Sequence, residues 1–214
     1  PGRRAGELLS RWMTWRDDRR VTRDRPIGQH RSMNLAGRLL VAAPALRDHN
    51  FDRSVVLVLS HDDDGALGVI VNRPTELRVT DILPDWQPVV SAPSVIFKGG
   101  PVERESALGL VAIAAADEPL GVKRVSGQLG VVDLDTPPEV VSPGVEGMRV
   151  FAGYAGWSPE QLESEIDEGA WYVVESHTGD VFSGRAEQLW QHVLRRQGGS
   201  LAWMATYPPD PSLN

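Results

Sequence analysis

Three segments carry residue types that chemistry draws on: His61-Asp62-Asp63-Asp64-Gly65, Gly99-Gly100-Pro101 and Phe151-Ala-Gly-Tyr154-Ala-Gly-Trp157. Three adjacent carboxylates invite a divalent cation. Calcium loops, however, place their ligands at alternate positions, because neighbouring side chains on a turning backbone point apart. HDDDG therefore reads as a solvated turn. The five histidines, at 30, 49, 61, 177 and 192, show neither H-x-x-x-H nor H-x-H spacing, so no metal site is expected. Cysteine is absent, which removes disulfides, thiolate zinc, iron–sulfur clusters and thiol catalysis together. The stretch Gly153 to Ser158 only superficially resembles a G-x-S-x-G elbow, and Ser158 is better used as a helix cap. Gly99 and Gly100 follow a strand-like run, as phosphate cradles do. Pro101 then removes an amide and no G-K-[ST] follows, so a tight backbone crossing is their expected use.

The alternation of small and aromatic residues before Ser158 has two readings. It is a structural corner at which a strand approaches another backbone, or the wall of a pocket in which Tyr154 and Trp157 meet a planar ligand. On the second reading the candidate ligand-binding residues are His61, Asn72, Arg73, Gly99, Gly100, Tyr154 and Trp157. An enzyme would need His61, Asp62, Asn72, Arg73, Glu103 and Tyr154 to converge from separate segments, which spacing does not indicate. No motif implies a cofactor.

Positioning these groups requires a strand-rich frame. Residues 38–43, 54–60, 66–72, 94–98, 107–112, 129–133 and 149–152, with 171–175, read as strands. SVVLVLS and ALGVIVN around the acidic Gly-containing turn form a hairpin, and their near-continuous apolar character predicts cover on both faces. Two helices are expected. One starts with Ser158 as N-cap, Pro159 first and Gln161 closing a capping box, and ends at Gly169. The other runs over about 186–197, with Leu189, Trp190, Val193 and Leu194 as its apolar stripe. Without regular βα alternation, this is an α+β fold.

Length sets one globular unit, placed at 33–206, with an arm over 1–32 and an extended Pro-rich tail over 207–214. The net charge of -7 divides sharply: nine Arg against four acids in 1–32, and 13 basic against 25 acidic residues beyond. The body repels polyanions at long range, so nucleic acid would be met through the arm, at Arg11, Arg16, Arg19 and Arg20. The apolar face of residues 6–15 offers a second use, packing on the body or on another subunit. No apolar h-region follows the basic start, so a secretory signal is not expected. The longest clean apolar run, 107–116, is too short for a transmembrane helix.

Together, LLVAAPAL (39–46), Phe51 with Arg53-Ser54-Val55, GALGVIVNRP (65–74), FKGGPV (97–102), FAGYAGW (151–157), Gln161-Leu162-Glu163 and Leu189-Trp190 resemble the bacterial YqgE/AlgH family. The resemblance covers about Asn34 to Leu194 and leaves the first 32 residues outside. It implies a coiled, partly barrel-like β-sheet with a few flanking helices. A transcriptional-regulator label is attached to AlgH, with no assigned reaction or cofactor. Two departures stand out. Members commonly carry Gly where this chain has Glu160, and some carry cysteines, so thiol-based sensing is not this protein's mechanism. The resulting expectation is a cytoplasmic, non-enzymatic binding or regulatory protein. Its small-molecule or protein partner would be held near GGPV and GYAGW. The alternatives are a convergent enzyme or a structural interaction module.

Overall fold

The computed structural model describes residues 34–114 and 118–208. The arm, with Arg11, Arg16, Arg19 and Arg20, lies outside the described residues, as do 209–214 of the tail. The hairpin forms as expected from β2 (Val55–Asp62) and β3 (Gly65–Ile70), closed by an Asx turn in which Asp62 Oδ1 accepts the Asp64 amide at 2.9 Å. β1 (Arg38–Ala42) pairs antiparallel with β2 on one side and with β10 (Trp171–Glu175) on the other. β9 (Val145–Trp157) is the hub. It runs antiparallel to β6 (Val102–Ile113) along most of its length, and its far end pairs with β3. β8 (Leu129–Val132) and β7 (Val122–Ser126) continue the sheet beyond β6, giving the order β10-β1-β2-β3-β9-β6-β8-β7. β5 (Val95–Lys98) lies parallel to β9, and β4 (Pro74–Arg78) hangs on β5 as an edge.

The sheet curls into a near-barrel because one face of almost every strand feeds a single core. Leu39, Val41, Leu57, Val69, Phe97, Leu110, Val131 and Phe151 meet there. Helix α5 (Leu189–Gln197) closes it, burying Leu189, Trp190, Val193 and Leu194 on one stripe, with Trp190 Nε1 donating to Ala42 O at 2.8 Å. On the other face, Leu40, Val56, Val58 and Ile70 pack against Trp157, Trp171 and Leu162 of α3 (Gln161–Asp167). Burial on both faces is why β1 to β3 have no polar alternation. A third cluster, around Trp86, Val111, Met148 and Val150, fills the outer face of the β6–β9 end. The remaining helices are short: α1 (Val79–Ile82), α2 (Pro138–Val141), α4 (Thr178–Val181) and α6 (Gly199–Met204). The fold is α+β, as read from the sequence. Among the described residues, no helix is long and apolar enough to cross a membrane.

Two local expectations are corrected. β4 (PTELR) and β7 (VKRVS) are further strands, each paired on one side only; β4 is largely exposed, and β7 is partly buried with Lys123 and Arg124 between its two valines. The Ser158 helix begins two residues late, at Gln161 and not at Pro159. Glu160 before it has φ 62°, a left-handed backbone that a helical first turn does not tolerate. Only half of the capping box forms. Gln161 Oε1 accepts from the Ser158 amide at 3.0 Å, and the Ser158 hydroxyl donates to that same oxygen instead of capping an amide.

Glycine adopts such a left-handed φ without strain, whereas the Cβ of Glu160 disfavours it. Glu160→Gly is expected to stabilise the protein by about 0.5–1 kcal/mol, the relief of strain being partly offset by a more flexible unfolded chain. Urea unfolding checks this. A midpoint at or below that of the parent would refute it.

Candidate functional site

The predicted residues separate into two groups, at different places on the barrel. At one corner, Asn72 and Arg73 follow β3. Asn72 is buried and spans the entry to β2: Oδ1 accepts the Val55 amide at 2.8 Å, and Nδ2 donates to Arg53 O at 3.0 Å. Arg73 O accepts the Lys98 amide at 2.8 Å, which brings β5 alongside, and Arg73 Nη2 donates to Asp52 O at 2.7 Å. Gly99 completes the junction by donating to Ala152 O at 2.8 Å and accepting the Ile70 amide at 2.7 Å.

The two glycines are required by contact rather than by φ. A Cβ on Gly99 would lie 2.3 Å from Gly153 O, and one on Gly100 would lie 2.1 Å from the carbonyl carbon and oxygen of Tyr154. Gly153, at φ +71°, admits Gly100 O and Val102 O from the facing segment. Gly99 and Gly100 thus serve the crossing of β5 and β6 over β9. Beyond it, Glu103 adopts φ 46°, and its carboxylate accepts from Tyr154 Oη and Ser106 Oγ, each at 3.4 Å.

Three cations meet at this corner. Burial, then the nearby charges of Arg73 and Arg104, hold the Lys98 ammonium below the usual lysine value. Burial likewise lowers Arg73, against the opposing pull of Asp52 and Asp48. Arg104 and Lys98 were not singled out in the sequence, although FKGGPV contains the lysine. Their partnership depends on a cross-strand register that spacing does not reveal.

His61 and Trp157 lie elsewhere. His61 is buried at 5% exposure; Nδ1 accepts the Leu35 amide at 3.3 Å, so Nε2 carries the proton that it gives to Glu163 Oε1 at 2.8 Å. Trp157 is 6% exposed, at 6.2 Å from Phe51 and 6.0 Å from Trp171 between ring centroids. Glu165 Oε2 accepts from both indoles, Trp157 Nε1 at 2.9 Å and Trp171 Nε1 at 2.8 Å. This clamp fixes α3 to the sheet. Glu165→Leu leaves two indole N–H groups unpaired and is expected to cost about 2–4 kcal/mol, with Glu165→Gln losing much less. Thermal unfolding, followed by tryptophan emission, checks both. Equal stability of the leucine and parent proteins would exclude the clamp.

A groove of about 380 Å³ opens next to the corner, lined by Pro74, Thr75, Pro93, Val95 and residues 184–188. Its walls are tied together from behind by Arg149, which is fully buried. The guanidinium donates to Ala92 O at 3.0 Å on one side, to Val181 O at 2.5 Å and Ser183 O at 3.2 Å on the other, and stacks 4.3 Å from the Phe97 ring centre. Burial lowers its pKa to about 10. The arginine inside the apolar run Met148–Phe151 is the sequence signal for this brace. Among the described residues, no group of three or more His, Asp or Glu side chains is arranged to hold a metal ion.

Comparison with known proteins follows the fold. The chain is 58% identical over 185 residues to a UPF0301 protein of Streptomyces coelicolor, covering 85% of this chain and 96% of that one. It is 44% identical over 182 residues to a UPF0301 protein of Mycobacterium tuberculosis, covering 84% and 90%. The crystal structure of a Corynebacterium diphtheriae protein superposes with a TM-score of 0.77 at 32% identity, over 88% of this chain and 96% of that one. The solution structure of AlgH from Pseudomonas aeruginosa gives 0.62 at 25% identity, over 85% and 98%. The AlgH-like family model matches residues 39–202. By sequence over most of its length and by the course of its curled sheet, the chain belongs to the AlgH-like family.

Proposed function

We propose that this chain is a cytoplasmic binding or regulatory protein, rather than a catalyst, and that its ligand is held at the corner of Asn72-Arg73, Lys98-Gly99-Gly100 and Arg104. Residues 33–206 act as one globular unit on this reading, and residues 1–32 as a basic appendage. The observation that carries it is convergence. Segments distant along the chain are locked by the Lys98–Arg73, Gly99–Ala152 and Ile70–Gly99 backbone bonds into one frame, from which charged side chains project. Of the enzyme alternative, Asn72, Arg73, Glu103 and Tyr154 belong to this neighbourhood, whereas His61 is engaged with Leu35 and Glu163. Hydrogen exchange of the full chain, with and without extract from its own host, tests the proposal. Slowed exchange at 71–74 and 97–104 is expected. A response confined to other segments, or none, would reject it.

The charge division favours a second reading, nucleic-acid contact through Arg11, Arg16, Arg19 and Arg20. Removal of residues 1–32 should then abolish retention on a nucleic acid. Unchanged affinity, or no affinity in the full chain, would dismiss it.

A further inference from the structure

His61 has no part in the corner, yet its buried ring joins three segments that are distant along the chain. It ties the end of β2 to α3 through Glu163 and to residues 34–36 through the Leu35 amide. The two bonds use the ring nitrogens in opposite senses. Nε2 donates to Glu163 Oε1 at 2.8 Å, and Nδ1 accepts from Leu35 N at 3.3 Å. Only the neutral ring has one donor and one acceptor, whereas an imidazolium has two donors. A proton on Nδ1 would therefore face the Leu35 N–H and end that bond. The Glu163 bond survives protonation and gains an opposite charge, so the ring stays in place.

The groups around the ring allow this. From α3 it meets Glu163, while Glu165 is turned to the indoles of Trp157 and Trp171. On β2, Asp62 follows His61 and accepts the Asp64 amide, and the β3 partner of His61 is Ala66, which carries no charge. Residues 34–36 present backbone groups and the Asn34 side chain, whose Oδ1 accepts the Ala36 amide at 2.9 Å. Two residues beyond Leu35, the Gly37 amide donates to Val58 O at 2.8 Å and brings the chain into the β1–β2 pairing. That bond involves no titratable group.

We infer that His61 is a pH-operated latch on the junction at which residues 1–32 join the globular unit. Neutral, it fastens Leu35 to the hairpin and to α3. Protonated, it keeps Glu163 and lets the Leu35 amide go. Histidine is the side chain whose charge ordinarily changes between about pH 5 and pH 8, so acid loosens the junction while the sheet stays closed.

The test is amide hydrogen exchange by NMR on the full chain from about pH 8 to about pH 5, corrected for intrinsic rates. Imidazole nitrogen shifts are read on the same samples. At the upper end, the His61 proton is expected on Nε2, with Nδ1 bare. As the ring takes up its second proton, Leu35 protection should fall by about tenfold, and that of Gly37 should change by less than about twofold. His61→Gln, which does not titrate, should remove the pH response of Leu35. His192→Gln, at an exposed position on α5, should keep it. Constant Leu35 protection across the protonation of the ring would overturn the inference. So would a ring that stays neutral throughout, a proton on Nδ1 at the upper end, or a pH response retained by His61→Gln. Equal losses at Leu35 and Gly37 would show general loosening and reject the latch. Should His61→Gln not fold, the parent and His192→Gln measurements decide the matter.

Discussion

Gly100→Ala is expected to be the most destabilising single-methyl change at the corner, costing more than about 4 kcal/mol. The added Cβ meets Tyr154 C and O at 2.1 Å and Ala155 N at 2.5 Å. All three are backbone atoms of β9, which is hydrogen-bonded to β6 and, at its end, to β3. No flexible side chain is available to give way, so relief requires moving the hub strand itself. For a chain of this size the loss corresponds to a melting temperature lower by roughly 10 °C or more. Gly179→Ala is the matched control. Nothing lies within 4 Å of the new Cβ there, and its stability should stay within about 0.5 kcal/mol or rise slightly. Thermal melting of both variants decides the matter. A Gly100→Ala protein that melts with the parent would mean that the strands do not cross as closely as described.

The second large effect is at the base of α5. Asp180 is 4% exposed and accepts an ion-paired hydrogen bond from Arg196 Nη1, whose side chain is itself only 17% exposed. Asp180 Oδ2 also accepts the His177 amide at 2.7 Å, closing the turn into α4. Arg196 Nη2 reaches back to Glu175 O on β10, so one ion pair ties α4, α5 and the edge of the sheet together. Asp180→Ala strands a nearly buried guanidinium and frees an amide, and should cost about 3–5 kcal/mol. The double variant Asp180→Ala/Arg196→Met should recover part of that loss, because no buried charge is then left unpaired. A urea-denaturation cycle over the four proteins measures this. Simple additivity of the two substitutions would show that the pair is not coupled.

Legibility in the sequence followed burial. β2 and β3 were readable because cover on both faces enforces unbroken apolar runs, and α5 because one stripe faces the core. β4 was not, because an edge strand exposed to water has no hydrophobic pattern to show, nor was β7, where Lys123 and Arg124 separate the two valines. The start of α3 was misplaced because Ser158, Pro159 and Gln161 make a good local cap, while the left-handed backbone at Glu160 is set by the chain leaving β9. At the candidate site, FAGYAGW was legible as unusual composition, and NRP and KGG only within the motifs of the family resemblance. Their division was not. Trp157 goes to the α3 clamp and Tyr154 to Glu103, although only two residues separate them.

The residue string by itself determined the absence of thiol chemistry, the basic and acidic division of the chain, the strand-rich α+β class and the family motifs. These depend on composition and on local periodicity, which any conformation of the chain retains. The tertiary structure alone decided that the backbone Gly100 meets is that of Tyr154 and Ala155, and that Arg149 braces the groove from behind. It also decided that Arg73, Lys98 and Arg104 form one charged corner. Each of these facts concerns residues distant along the chain, and cross-strand hydrogen bonding is the step that converts such distance into contact.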